Sequence, residues 1–331
     1  MTHHPHDALF KAAFEQPEHA GGLFRSVLPE SISAAISWPT LERESGSFID
    51  PELADRHTDL LFSARVRGTR VFLYLLLEHQ STSDDDMPLR MLIYIVRIWE
   101  RHRKEHKKGR LPLIIPAVVS HAPGGWTGAV RFSELFDPDP ASIPGLSPYI
   151  PCFSLLIEDL AHVSNDELKG RALAAFPKLA LWLLRDGRNT DQLLTNLEHW
   201  VAVFREALRT PRGMEVVGLL MRYIALVCDD LHFEQFRAKI LEQIPEVEQA
   251  AMTIAEQMRQ EGRQEGRQEG RQEGRLQATI DILERQLAFK FGELPSPYKL
   301  RIEASTREQL ERYSERILIA DSLEAVFAEP S

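Results

Sequence analysis

Cysteine is almost missing from this chain: Cys152 and Cys228 are the only two in 331 residues, too few for a disulfide framework and in keeping with a reducing compartment. Long hydrophobic runs are missing too. The longest apolar stretch is the seven residues from Val71 to Leu77, far short of the ~20 that a membrane-spanning helix needs. The N-terminal Met1-Thr2-His3-His4-Pro5-His6 lacks the charged and then apolar layout of a secretory signal, so the expected location is the cytoplasm, with no membrane partner. An excess of positive charge is also lacking, since 39 Lys and Arg stand against 49 Asp and Glu for a formal net charge of -10. Proteins that coat nucleic acid nonspecifically work by neutralising many phosphates. That class is excluded, and any contact with DNA has to be local.

What is present is patterned. With 44% apolar residues the chain can fill a sizeable core in each of two ordinary domains. Leu9, Phe10, Ala13 and Phe14, then Leu23, Phe24, Val27 and Leu28, recur at three-to-four spacing and predict helix over residues 6–29 around a break at Pro17. The apolar-rich run His57 to Val66, followed by a turn around Gly68, predicts a strand. Val71 to Leu77 follows at hairpin distance, and its unbroken apolar character suits a central strand buried on both faces. Leu89, Leu92, Ile93, Val96 and Trp99 predict a helix from Met87 to about Lys108, with Pro88 in its first turn. Leu113 to Val119 predicts a further strand, which Pro116 pushes toward an edge or a bulge because proline cannot donate to a ladder. With an earlier strand near residues 41–49, this order makes a small α/β layer over residues 1–121.

Residues 122–151 are rich in proline and glycine and read as an irregular connection. Residues 152–258 then show helical spacing almost throughout, in Leu173–Leu184, Leu193–Leu208 and Val216–Val227 among others. A low-complexity segment at 259–275 and a helical region at 276–331 complete the chain. The low-complexity segment holds four copies of Gln-Glu-Gly-Arg. If helical, these place Gly262, Gly266, Gly270 and Gly274 in a slowly drifting stripe, each costing about 1 kcal/mol relative to alanine. Glu and Arg lie two residues apart there and cannot pair within one helix. Pairing between two copies would satisfy them, so a homodimer through the C-terminal helices and this repeat is one expectation, and a flexible charged linker is the other.

The constellation that carries chemistry is Asp59 on the first strand with Glu78-His79-Gln80 at the end of the second. Side chains alternate along a strand, so Glu78 and Gln80 share a face, and pairing that sets Asp59 beside them brings two carboxylates to one sheet edge. Converging carboxylates repel unless a cation neutralises them. A hard ion such as Mg²⁺, or Mn²⁺ or Ca²⁺ in its place, takes oxygen ligands and keeps waters for a phosphate substrate. Taken alone, Glu78 is equally a strand end meeting water. His79 alternates to the opposite face and reads as packing. One basic segment interrupts the acidic balance, with Arg97, Arg101, Arg103, Lys104, Lys107, Lys108 and Arg110 against Glu100 and Glu105. It suits either a phosphate or a solvated helix end whose cations complement the macrodipole.

Four ordered segments, His6-Asp7-Ala8-Leu9-Phe10-Lys11, Arg56-His57-Thr58-Asp59-Leu60-Leu61-Phe62, Leu77-Glu78-His79-Gln80-Ser81 and Met87-Pro88-Leu89-Arg90-Met91-Leu92-Ile93-Tyr94, resemble the recombination-promoting nuclease (Rpn) family, also labelled YhgA-like transposases. The resemblance spans roughly the first two thirds of the chain, and the repetitive tail is similar to that family's as well. It implies a PD-(D/E)XK nuclease, with a restriction-endonuclease-like αβββαβ core ahead of the region read as all-helical, and metal-dependent cleavage of DNA in recombination. It further implies that Asp59, Glu78 and the His79 backbone carbonyl hold Mg²⁺, and it puts Gln80 where the broad superfamily has a lysine. Lysine would bring positive charge to the attacking water or the developing phosphorane. Gln80 orients water through neutral hydrogen bonds only, so slow cleavage is expected. Lys11, Arg90, Arg97 and Arg101 are the expected DNA contacts. Gln80 and the acidic net charge also suit a competing reading, a nuclease-like module that binds DNA or protein without useful catalysis. An RNase H-like transposase ranks third, because two acids 19 residues apart on consecutive strands suit the nuclease core better.

Overall fold

The computed structural model describes residues 5–44, 59–78, 85–248 and 276–328. The chain forms two compact units, Met1–Ile254 and Ala255–Ser331. In the first, Pro17 divides the N-terminal helical stretch: α1 (Pro5–Phe14) stops before it and α2 (Pro17–Val27) starts on it, where a missing amide proton is harmless. After α3 (Glu30–Ala35) come three antiparallel strands, β1 (Ile36–Arg43), β2 (Asp59–Val66) and β3 (Thr69–Glu78). The tight β2–β3 turn runs through Arg67 and Gly68 at φ of 48° and 82°, a left-handed pair whose twist matches the flanking strands. The helix α4 (Met87–Glu105) crosses to β4 (Leu113–Ser120), which pairs with β3 in parallel, and β5 (Leu156–Asp159) adds in parallel to β4. The sheet order is β1-β2-β3-β4-β5, so the unbroken apolar run does occupy the centre.

Both prolines of the sheet fall where the ladder has a gap. Pro39 lies in the register irregularity between Ser37 and Glu42 on the edge strand β1. Pro116 stands opposite Tyr74 of β3 and one residue before Ala117, where pairing with β5 begins. β4 is therefore an edge along its first half and internal along its second. Two features depart from the sequence reading: β1 starts at Ile36, ahead of the strand expected near 41–49, and β5 is drawn from the stretch read as helical throughout.

Helix α4 covers one sheet face, where Met91, Tyr94, Ile95 and Ile98 pack with Leu61, Phe72 and Val118. Alternate residues serve the opposite face, where Phe62 of β2 meets Phe24 of α2 with ring centroids 6.3 Å apart. Five helices follow β5: α5 (Asn165–Gly170), α6 (Ala175–Asp186), α7 (Thr190–Leu208), α8 (Gly213–Val227) and α9 (Asp230–Gln243). Helix α1 packs against α6 and α8. Trp182 and Trp200, both fully buried, stack with centroids 5.1 Å apart between α6 and α7.

Beneath this pair runs a buried polar network. Asp186, with no exposed surface, accepts from Arg185 Nε at 2.6 Å, Trp182 Nε1 at 2.7 Å and Asn196 Nδ2 at 2.8 Å. Arg185 in turn donates to the Val163 carbonyl and to Asn165 Oδ1, which also accepts from Trp200 Nε1.

The second unit consists of α10 (residues 276–291), α11 (Ser296–Glu303), α12 (Arg307–Arg316) and α13 (Leu323–Phe327) around Leu283, Leu287, Ile302, Leu310, Val326 and Phe327. The Gln-Glu-Gly-Arg repeat lies outside the described residues. Among the described residues no helix is long and apolar enough to cross a membrane.

Candidate active site

Antiparallel pairing sets Asp59, the first residue of β2, opposite Leu76 of β3. Glu78, the last residue of β3, lies two positions further on and so falls on the same sheet face as Asp59. By strand dimensions the two α-carbons are about 8 Å apart at one end of the sheet. Glu78 is in register with Ser120 at the end of β4, and Ser120 with Asp159 at the end of β5. Asp59, Glu78, Ser120 and Asp159 thus form a polar row along the sheet end, on the face that carries α4. His79 and Gln80 lie outside the described residues.

Asp159 and Ser120 were not singled out by the sequence. Asp159 closes the turn beyond β4: it accepts from the Trp126 amide at 2.8 Å and the Ala161 amide at 3.3 Å, and its Oδ2 lies 2.7 Å from His162 Nδ1. With its oxygens engaged by this turn, it is a positioning residue for the sheet end. Gly125 makes the arrangement possible. Its φ is 89°, and a Cβ there would collide with the His162 ring. Gly125→Ala is expected to destabilise the first unit by about 2 kcal/mol, from left-handed strain plus displacement of His162, and thermal melting measures it. The sequence signal was the pair Gly124-Gly125 directly after a strand, which the reading took as loop.

The N-terminal segment His6-Asp7 also has a structural role. His6 Nδ1 lies 2.8 Å from the Tyr223 hydroxyl, which donates to the Leu183 carbonyl at 3.3 Å, and the His6 ring sits 4.9 Å from that of His121, just past β4. Burial pushes the Tyr223 hydroxyl pKa well above the ordinary tyrosine range, so it stays a neutral hydrogen-bonding group. His6 therefore ties α1 to the end of the sheet and to α8. Lys11 is exposed on α1, on the opposite side of the sheet from α4. Arg90, Arg97 and Arg101 are part-buried on α4, over the face of Asp59 and Glu78, with Arg101 paired to Glu105 at 3.1 Å. Among the described residues no group of three or more His, Cys, Asp and Glu is placed to hold a metal ion.

Comparison with known proteins gives this geometry a context. Residues 4–215 match the family described as "Putative transposase, YhgA-like". Recombination-promoting nuclease RpnD of Escherichia coli O157:H7 is 29% identical over 260 residues, covering 78% of this chain and 95% of the relative. Recombination-promoting nuclease RpnA of Escherichia coli strain K12 is 30% identical over 259 residues, 78% of this chain and 84% of the relative. A further K12 relative, 28% identical over 262 residues and covering 79% of this chain and 83% of its own length, bears the name inactive recombination-promoting nuclease-like protein RpnE. No solved structure matches. With a family match over well more than half its length, the chain belongs to the YhgA-like family, alongside relatives named recombination-promoting nucleases.

Proposed function

We propose that the protein is a metal-dependent DNA endonuclease that hydrolyses phosphodiester bonds in recombination. The observation that carries this is the register that sets Asp59 and Glu78 on one face at one end of the sheet. The order of helix, three antiparallel strands, helix and parallel strand supports reading the sheet as a PD-(D/E)XK core, and the names of RpnD and RpnA support the activity. Aspartate and glutamate offer oxygen donors only, a set that fits a hard divalent ion such as Mg²⁺. In this reading Asp59, Glu78 and the His79 carbonyl hold the ion, which when bound supplies Lewis acidity toward the scissile phosphate. The sheet end fixes the spacing of the two acids, since strands hold side chains more firmly than loops do. Gln80 orients the attacking water through neutral hydrogen bonds and adds no charge, which makes the enzyme slow.

The test is supercoiled plasmid incubated with purified protein in Mg²⁺, Mn²⁺, Ca²⁺ or EDTA. Nicking is expected in the metals and none in chelator, and cleavage that persists in excess EDTA would overturn the reading. A second reading, a nuclease-like module that binds DNA or protein without turnover, is favoured by Gln80 and by the relative named inactive. It predicts DNA binding with no nicking in any metal.

A further inference from the structure

Beyond the carboxyl ends of β4 and β5, on the side of the sheet away from α4, lies a cavity of about 540 Å³. Its walls are the turn after β4 from His121 to Gly124, Ala161 just past β5, and the α6–α7 turn that carries Arg188 and Thr190. The carboxyl ends of parallel strands are where open α/β sheets form their ligand crevices. Gly124, at φ of 86°, lines the cavity with bare backbone, and a Cβ there would meet nothing within 4 Å, so a ligand could approach the main chain closely.

The charge of this cavity is local and positive in a chain whose formal net charge is -10. Arg185 reaches the wall but is committed to Asp186, Asn165 and the Val163 carbonyl. Arg188 therefore supplies the guanidinium, and its surroundings are dry enough that burial lowers its pKa from the ordinary arginine value. Guanidinium is the side chain best matched to a phosphate, because its fork presents paired donors. The 19-residue helix α7 begins at Thr190 and adds the positive end of its dipole to the same wall. Two carboxylates lie nearby: Asp186 is buried and held by Arg185, while Asp191 is exposed. His121 forms the floor, 3% exposed, with Nδ1 3.0 Å from the Leu184 carbonyl.

We propose that this cavity binds a phosphate group, with Arg188 as its charged anchor, and that the phosphate is one from the DNA backbone next to the scissile bond. The choice of ligand rests on the nuclease reading. Glu78 is in register with Ser120, the residue before His121, so the cavity opens about one strand spacing, ~5 Å, from the acid at the end of β3. A strand laid across the sheet end would reach both. Inorganic phosphate shares the chemistry and could occupy the site by itself.

Two measurements on the full-length protein separate these sources. The first is fluorescence anisotropy of a short duplex in EDTA, where no cleavage is expected, over a range of salt concentrations. Arg188→Ala is expected to weaken binding about tenfold at low salt and to reduce the slope of log affinity against log salt by about 1, the signature of one lost phosphate contact. Arg188→Lys should keep the slope while losing part of the affinity. The second is thermal melting in inorganic phosphate against chloride at matched ionic strength, where phosphate should stabilise the wild type and not Arg188→Ala. A phosphate effect with an unchanged DNA slope would overturn the DNA source in favour of a free ligand. An unchanged slope with no phosphate effect would overturn the site. If the wild type nicks no plasmid but Arg188→Ala still lowers the slope, the endonuclease reading falls and the phosphate site stands.

Discussion

Glu78→Ala is expected to lower metal-dependent plasmid nicking by ~10³-fold or more, and Asp59→Ala by a similar factor. A bound ion contributes several kcal/mol of transition-state charge stabilisation, and each 1.36 kcal/mol is a factor of ten in rate. Losing one of two carboxylate ligands removes most of that contribution. The two acids act as a unit, so the double variant should be scarcely worse than either single one. Both substitutions remove a charge at the tip of a strand and take nothing from the sheet's hydrophobic contacts, so melting should change little. Nicking that survives either substitution at near wild-type rate would place the active site elsewhere in the chain.

The largest stability effect is expected at Asp186. Its carboxylate is fully buried and is shared by Arg185, Trp182 and Asn196. Asp186→Ala leaves the Arg185 guanidinium without its counter-ion in a buried setting, a change that costs ~3–5 kcal/mol when one partner of a buried pair is removed. For a unit of this size that corresponds to a fall in melting temperature of about 10 °C. Asp186→Asn keeps the shape but not the charge, and should lose most of the same amount. If Asp186→Asn melted with the wild type, hydrogen bonding rather than charge would account for the network. Because Asn165 and Arg185 link this cluster to the turn after β5, the α6–α7 region and the sheet end should soften together, which amide exchange would detect.

Local pattern carried much of the fold. The runs His57–Val66 and Val71–Leu77 and the stripe from Leu89 to Trp99 each declare one element, because hydrophobic periodicity is a short-range signal. What escaped has a different origin. β5 is four residues long, Leu156 to Asp159, and it is a strand because the second half of β4 offers a free ladder, not because its own sequence insists on it. β1 contains Pro39, which reads as a strand breaker until the edge position and the irregular register around it are known. The pair Asp59 and Glu78 was legible because the two residues sit on consecutive strands joined by a tight turn. Asp159, His162, Arg188 and Tyr223 were not, since the chain brings them to the sheet end only after long excursions through the proline- and glycine-rich passage and the helices.

The fifth strand also bears on how this protein can be cut and recombined. A fragment ending at Ala122 would hold every segment that carries the family motifs, yet it would leave Ala117, Val118 and Val119, all buried in the intact chain, along an unpaired edge. Such an edge is a template for strands from other molecules, and the fragment should accumulate as aggregate. Residues on either side of the proline- and glycine-rich passage are stitched into one sheet and must be inherited together, so gene fusion or domain shuffling has no usable seam there.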